Sequence, residues 1–243
     1  MLQIVTKDSV PMLSQTAAFQ MRIKKIYSDI VCGHGRNNEL HVIYVKDKQI
    51  ETFTKISNSR YPIQVFYRLL IGELLPETVE RVLYLDGAII VRKSLRNLWP
   101  FDLENVDVGA VPDAMSVMLS YYNRLQYSMK KGYVNAGGVV NLKYWREHNL
   151  SKYFLDFMRT YPERIVLNDQ DVLNFVVRDC KKFIPLKYNV QTMFLYKNEY
   201  QHFSIYQFKE DYDEARWSPS VIHYSGCRPW EENSKHPFKE EFF

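Results

Sequence analysis

A chain of 243 residues, 46% of them hydrophobic, is long enough to bury a sizeable core as one large domain or two small ones. Its net charge of +4 is too small to argue for nucleic-acid binding and allows only a mildly basic face toward phosphate or anionic lipid. The cysteines, Cys32, Cys180 and Cys227, are odd in number and lack metal-type spacing. They read as reduced thiols of a cytosolic protein; no signal peptide is evident, and no apolar run approaches the roughly 18 residues that span a bilayer.

In chain order, Leu2 to Thr6 reads as a first strand. Ser9 and Pro11 are suited to cap and open a helix whose apolar residues recur at helical spacing from Met12 to Ile30. A loop follows at His34 to Asn38, then a second strand at Leu40 to Val45, and a polar, weakly patterned stretch from Lys46 to Arg60 reads as loop. Tyr61-Pro62 precedes a helix over Ile63 to Leu75, which Pro76 ends. Next comes Arg81-Val-Leu-Tyr-Leu-Asp-Gly-Ala-Ile-Ile-Val91. An apolar run closed by a turn residue predicts a buried, parallel strand with Asp86 at its C-terminal end, where open α/β sheets bind ligands. Taken alone, Asp86 reads equally well as a polar residue that closes a core strand.

Val106 to Val111 predicts another strand, ending at Pro112-Asp113, and Ser116 to Lys130 an amphipathic helix. In Gly132 to Leu142 two apolar runs flank small residues, which predicts a strand whose backbone something approaches closely. Lys143 to Thr160 is helical by pattern, and Asn168-Asp169-Gln170-Asp171 reads as the cap of a helix running through Val177. Lys187 to Val190 is a short extended piece, Glu199 to Arg216 is charged and aromatic without clear form, and Val221-Ile222 is a short strand feeding His223. No repeat, low-complexity tract or linker stands out, so one α/β domain is the economical reading.

Four stretches carry the chemistry: Tyr84 to Val91, Val134-Asn-Ala-Gly-Gly-Val-Val-Asn-Leu142, Asn168-Asp-Gln-Asp-Val-Leu-Asn174 and Ile222-His-Tyr-Ser-Gly-Cys-Arg-Pro-Trp230. In this order and spacing they resemble glycosyltransferase family 8, the retaining enzymes that include bacterial lipopolysaccharide hexosyltransferases and glycogenin. Tyr67-Arg68 before Leu74-Leu-Pro76 resembles the family's helix leading into its Asp-x-Asp strand. The resemblance spans roughly residues 60 to 240. It implies a single GT-A-type domain over residues 1–243, a Rossmann-like nucleotide-diphospho-sugar transferase fold of the α/β class with a mostly parallel central sheet and a shortened N-terminal nucleotide-binding part.

The resemblance implies transfer of a hexose from a UDP-sugar to a saccharide or lipid-linked acceptor in cell-surface polysaccharide synthesis, with Mn²⁺ holding the diphosphate. It places the protein in the cytoplasm at the inner face of the membrane, peripherally associated. A leaving diphosphate develops negative charge, which a hard cation bound through carboxylate oxygen neutralises. On this resemblance Asp86 and His223 would be metal ligands; the plain alternative for His223 is a hydrogen-bonded histidine at a strand end. Asn135, Ala136 and Gly137 would form the sugar-facing turn, Gly226 and Arg228 would address the diphosphate, and Arg228 replaces the usual lysine with a bidentate fork. Asp169 would hold sugar hydroxyls and Gln170 would stabilise the reacting centre, an amide being a poor nucleophile. Arg68 and Asp113 resemble donor-sugar contacts, although Arg68 reads equally as half of a structural salt bridge. Asp8 is what remains of the patch that seats the uracil.

One departure bears on activity. Ala88 stands where the family has the second aspartate of Asp-x-Asp, and in an extended segment that carboxylate would share a face with Asp86. Two readings follow: a retaining hexosyltransferase with weak metal binding, or a degenerate member that binds nucleotide sugar or a partner protein. A nicotinamide oxidoreductase is excluded, because no Gly-x-Gly-x-x-Gly follows the first strand.

Overall fold

The structure is a computed structural model that describes residues 2–6, 40–44, 63–116, 118–196, 209–226 and 228–243. The predicted helix over Met12 to Ile30, the loop over Lys46 to Arg60, Asp8, Cys32 and Cys227 lie outside these residues. The chain divides into two compact units, Met1–Leu74 and Leu75–Phe243.

In the first unit, β1 (Leu2–Thr6) and β2 (Leu40–Tyr44) pair in parallel, in register from Leu2 with Leu40 to Thr6 with Tyr44. The helix predicted over Ile63 to Leu75 is a 3₁₀ helix over Ile63–Leu70 that continues as α1 (Ile71–Leu74). Its opening residues include β-branched Ile63 and Val65 and aromatic Phe66 and Tyr67, which crowd a regular α-helical turn. Arg68 sits half-buried on this 3₁₀ segment.

The second unit holds two sheets. One has the strand order β3 (Arg81–Tyr84), β6 (Val134–Asn141), β5 (Val108–Pro112), β7 (Lys181–Phe183); the other runs β4 (Ile89–Val91), β9 (Val221–His223), β8 (Val190–Gln191). β5 with β7 and β8 with β9 are parallel, whereas β3 with β6, β5 with β6 and β4 with β9 are antiparallel.

The stretch expected to form one buried parallel strand is thus two strands on different sheets. β3 is half-buried and antiparallel to β6, and residues 85–88 form the turn between β3 and β4. Apolar runs on both sides of a turn look alike whether the chain stays in one sheet or changes to another; Asp86-Gly87 supplies the break. Because residues 86–88 are not extended, the alternation argument that would put residue 88 on the face of Asp86 does not hold here. The Ala88 carbonyl instead accepts the Tyr224 N–H at 2.9 Å, tying the turn to the end of β9.

Leu103, Val111, Val139, Ile184, Leu186, Val190 and Phe194 form the core cluster, together with Tyr212 and Ala215 of α6 (Lys209–Trp217). The helix expected over Lys143 to Thr160 is two, α3 (Leu142–Glu147) and α4 (Leu150–Thr160). Asn149 separates them with a left-handed φ of 52°, a conformation asparagine tolerates better than most side chains. α4 packs on α5 (Asp169–Val176), where the rings of Phe157 and Phe175 stack with centroids 4.2 Å apart. Between β5 and β6 runs α2 (Leu119–Leu125), shorter than expected, followed by a 3₁₀ turn at Met129–Lys131.

Candidate functional site

β5 ends at a register shift between Ala110 and Pro112, and Asp113 follows directly. A bulge at a strand end re-aims the side chain beyond it. The Asp113 N–H is held by the Tyr133 carbonyl at 2.9 Å, which keeps it beside the start of β6. Asp113 Oδ2 accepts the Asn135 side-chain amide at 2.9 Å and the Gln170 side-chain amide at 2.8 Å, while Oδ1 accepts the Met115 N–H at 2.8 Å. One carboxylate therefore gathers the sugar-facing turn and the helix carrying Gln170. Gln170 Nε2 also donates to the Val134 carbonyl at 3.3 Å, so its carbonyl oxygen is the end of the amide left to address a ligand.

The N-terminus of α5 is positioned by two buried residues. Asp171 is completely buried and accepts from Val166 N at 2.8 Å, Leu167 N at 2.7 Å, Tyr133 Oη at 2.8 Å and Arg124 Nη2 at 2.7 Å. Asn168 makes no side-chain cap bond, so the cap expected of this quartet resides in Asp171. Asn174 acts on Val134 as a neighbouring strand would, accepting its N–H at 2.7 Å and donating to its carbonyl at 2.8 Å. Buried polar groups need such partners, because an unmade hydrogen bond costs about 1–3 kcal/mol. Asp169, first residue of α5 and neighbour of Gln170, is buried. Burial first, then the charge of Asp171, raises the Tyr133 hydroxyl well above its ordinary value. Burial and then Asp113 push Tyr122 to about 12.

β8 and β9 deliver the other half. His223 ends β9, paired with Ile89 of β4 on one side and Gln191 of β8 on the other. It is 6% exposed. Its Nδ1 lies 2.9 Å from Asn189 Oδ1, Asn189 Nδ2 donates to Asn135 Oδ1 at 3.0 Å, and Nε2 lies 3.7 Å from Asp86 Oδ2. The structure thus joins Asp113, Asn135, Gln170, His223 and Asp86 through one hydrogen-bonded series, with Asp169 beside it. Gly137 borders the same series: a Cβ there would meet Asn189 Nδ2 at 3.2 Å. Ala136 lies between Asn135 and Gly137 on β6.

Gly226 is exposed with φ 93°, a conformation that favours glycine. Arg228 is exposed, its guanidinium 5.8 Å from the Trp230 ring centre. Arg68 belongs to the first unit and Asp8 is outside the described residues. Asn189, Asp171, Asn174 and Gln191 were missed as site-building residues. Gln191 accepts the Ala114 N–H at 2.8 Å and donates to the Pro112 carbonyl at 2.9 Å, clamping the exit of β5. The available signal was an amide or carboxylate set among residues that bury, such as Asn189 before Val190.

Among known proteins, the chain is 28% identical over 196 residues to general stress protein A of Bacillus subtilis, covering 77% of this chain and 66% of that protein. It is 26% identical over 214 residues to a lipopolysaccharide 1,3-galactosyltransferase of Salmonella typhimurium, covering 83% and 59% respectively. The chain therefore spans about three fifths to two thirds of the length of these relatives. The fold superimposes on the galactosyltransferase LgtC, solved in complex with donor and acceptor sugar analogs, with a TM-score of 0.74 and 25% identity over 86% of this chain and 75% of that one. The architecture is accordingly the GT-A type of α/β fold. With the family model for glycosyl transferase family 8 matching residues 9–234, the chain belongs to glycosyltransferase family 8.

Proposed function

We propose that the chain is a retaining hexosyltransferase that moves a sugar from UDP to a saccharide or glycolipid acceptor in cell-surface polysaccharide synthesis. The observation that carries this reading is the grip of Asp113 on Asn135 and Gln170, in series with His223 facing Asp86. Asn135, Asp113 and Asp169 would hold hydroxyls of the donor sugar, and Ala136 and Gly137 would leave it room. The Gln170 carbonyl oxygen would lie against the anomeric carbon and stabilise positive charge as the bond to UDP breaks. The acceptor oxygen then bonds that carbon on the face the diphosphate leaves, and its proton passes to the departing phosphate oxygen. Gly226 would admit backbone N–H groups to the phosphate, Arg228 would supply charge, and Asp8 and Arg68 are the expected donor contacts of the N-terminal unit.

The donor set fits a divalent cation such as Mn²⁺. Asp86 Oδ2 and His223 Nε2, 3.7 Å apart, are spaced as two ligands of one ion can be when each lies about 2.0–2.2 Å from it. Among the described residues no group of three or more His, Cys, Asp and Glu could hold a metal, so diphosphate oxygens would complete the shell. When bound, the ion would neutralise charge developing on the leaving diphosphate. Ala88, in place of a second carboxylate, favours one competing reading: a member that binds nucleotide sugar without transferring it. No helix among the described residues is long and apolar enough to cross a membrane, and peripheral association at the inner face of the cytoplasmic membrane would bring a lipid-linked acceptor within reach.

Isothermal titration with UDP, with and without Mn²⁺, tests the site. UDP should bind more tightly with the metal, and His223→Ala should abolish that gain. Absence of UDP binding at millimolar ligand would overturn both readings. Metal-dependent UDP binding without transfer or donor hydrolysis for any UDP-hexose would select the non-transferring one.

A further inference from the structure

The amides between Asp113 and His223 have only one consistent polarity. Asp113 Oδ2 lies 2.9 Å from the Asn135 amide and 2.8 Å from that of Gln170, and an ionised carboxylate only accepts. Asn135 must therefore present Nδ2 to Asp113, which turns its Oδ1 to Asn189. Asn189 must then donate its Nδ2 across 3.0 Å, which turns its own Oδ1 to the histidine ring. At 2.9 Å from that oxygen, His223 Nδ1 has to be the donor. Reversing any amide would set two oxygens against each other, or two N–H groups, inside a segment where Asn135, Asn189 and His223 are all buried.

We propose that Asn189 is a positioning residue that fixes His223 in the tautomer protonated at Nδ1, so that Nε2, the nitrogen facing Asp86, carries the lone pair. Asn189 reaches this place because the 3₁₀ turn at Leu186–Tyr188 and the start of β8 set it between β6 and the end of β9. Free imidazole has no such constraint, and a ring protonated at Nε2 offers no electron pair toward Asp86. A ligating histidine whose other nitrogen donates to a fixed acceptor is oriented before the ion arrives. The role in cation binding rests on the function proposed above; the tautomer itself does not.

Long-range ¹H–¹⁵N NMR of metal-free protein reads the tautomer of the neutral ring directly. The wild type should carry the proton on Nδ1; a ring protonated at Nε2 overturns the proposal without recourse to any variant. Asn189→Leu should shift the proton to Nε2 or to a mixture, and Asn189→Asp, which keeps an acceptor, should hold it on Nδ1. An unshifted ring in a folded Asn189→Leu overturns the proposal as well. In the presence of UDP, Asn189→Leu should bind Mn²⁺ about 10- to 100-fold more weakly. If the wild type binds no Mn²⁺ with UDP while the tautomer follows these substitutions, the proposed function fails and the role of Asn189 stands.

Discussion

Gly138 lies so close to the Gly109 carbonyl that a Cβ on it would overlap the oxygen and come within 3.1 Å of Ala110 Cα. The two residues face each other across the β5–β6 pair, where Gly109 is opposite Val139 and Ala110 opposite Gly138. Backbone cannot swing aside as a side-chain tip can. β6 must remain tight against β5, because Asn135 reaches Asp113 across the same seam.

Gly138→Ala should therefore destabilise the fold by about 3 kcal/mol, at the upper end of overpacking costs. Gly87→Ala, where an added Cβ meets nothing within 4 Å, should change stability little. Denaturant unfolding of both variants checks the contrast. Equal stabilities would mean that the strands are not in this contact.

Asp171 is the anchor of α5. Its partners are Val166 N, Leu167 N, Tyr133 Oη and Arg124 Nη2. Removing it strands a mostly buried guanidinium and a buried hydroxyl, a change that costs about 3–5 kcal/mol. Asp171→Ala should lose that much in chemical denaturation, and Asp171→Asn, which keeps two acceptor sites, should lose less. The Arg124–Asp171 pair should show coupling in a double-mutant cycle, and additive losses would sink the argument.

The elements around the site were largely legible, their cross-connections were not. The small residues at Gly137 and Gly138 announced a close approach because nothing larger fits, and Asp113 was marked by following a strand. The change of sheet at Asp86-Gly87 left no trace, since Leu83 and Ile89 are equally apolar whichever sheet they join. Asn189 was invisible for another reason: its partner Asn135 is 54 residues away, and only the fold makes a lone amide before Val190 the link between two halves of a site. Asn174 was obscured likewise, because it completes a strand from a helix.

Two buried groups should bound stability in pH. Burial raises the Asp107 carboxyl from 3.8 to about 7, and its Oδ1 has no hydrogen-bond partner. The folded state thus favours the protonated acid. That contribution is complete below the unfolded value of 3.8 and is lost as pH rises through about 7, at most about 4 kcal/mol. Burial lowers His236 from 6.5 to about 4, so its contribution is present above 6.5 and is lost as pH falls through about 4. Asp107→Asn should match the wild type near pH 4 and melt higher than it at pH 8. A constant difference across that range would refute the assignment.

Gln170 offers a test in which charge alone is changed. Its Nε2 donates to Asp113 Oδ2 at 2.8 Å and to the Val134 carbonyl at 3.3 Å. Gln170→Glu replaces that donor with an oxygen of nearly the same size, so that three acceptors meet where one donor had joined two. At low pH a shared proton restores the contact. As pH rises, one carboxyl of the pair holds its proton above the usual carboxylate range, because like charges this close cannot both ionise. That pair contributes stability while the proton is bound and loses it as pH climbs through the raised value. The melting temperature of Gln170→Glu should therefore lie near that of the wild type at pH 5 and fall below it by pH 8, a loss of about 2 kcal/mol. Gln170→Met, which removes the donor without adding charge, should show a loss that does not change with pH. Any residual sugar transfer by the glutamate variant should decline over the same pH interval, because Asp113 can no longer hold Asn135 and residue 170 together. A pH-independent deficit in Gln170→Glu would show that residue 170 does not face Asp113 in solution, and the reading of Gln170 as a group held against the anomeric carbon would lose its support.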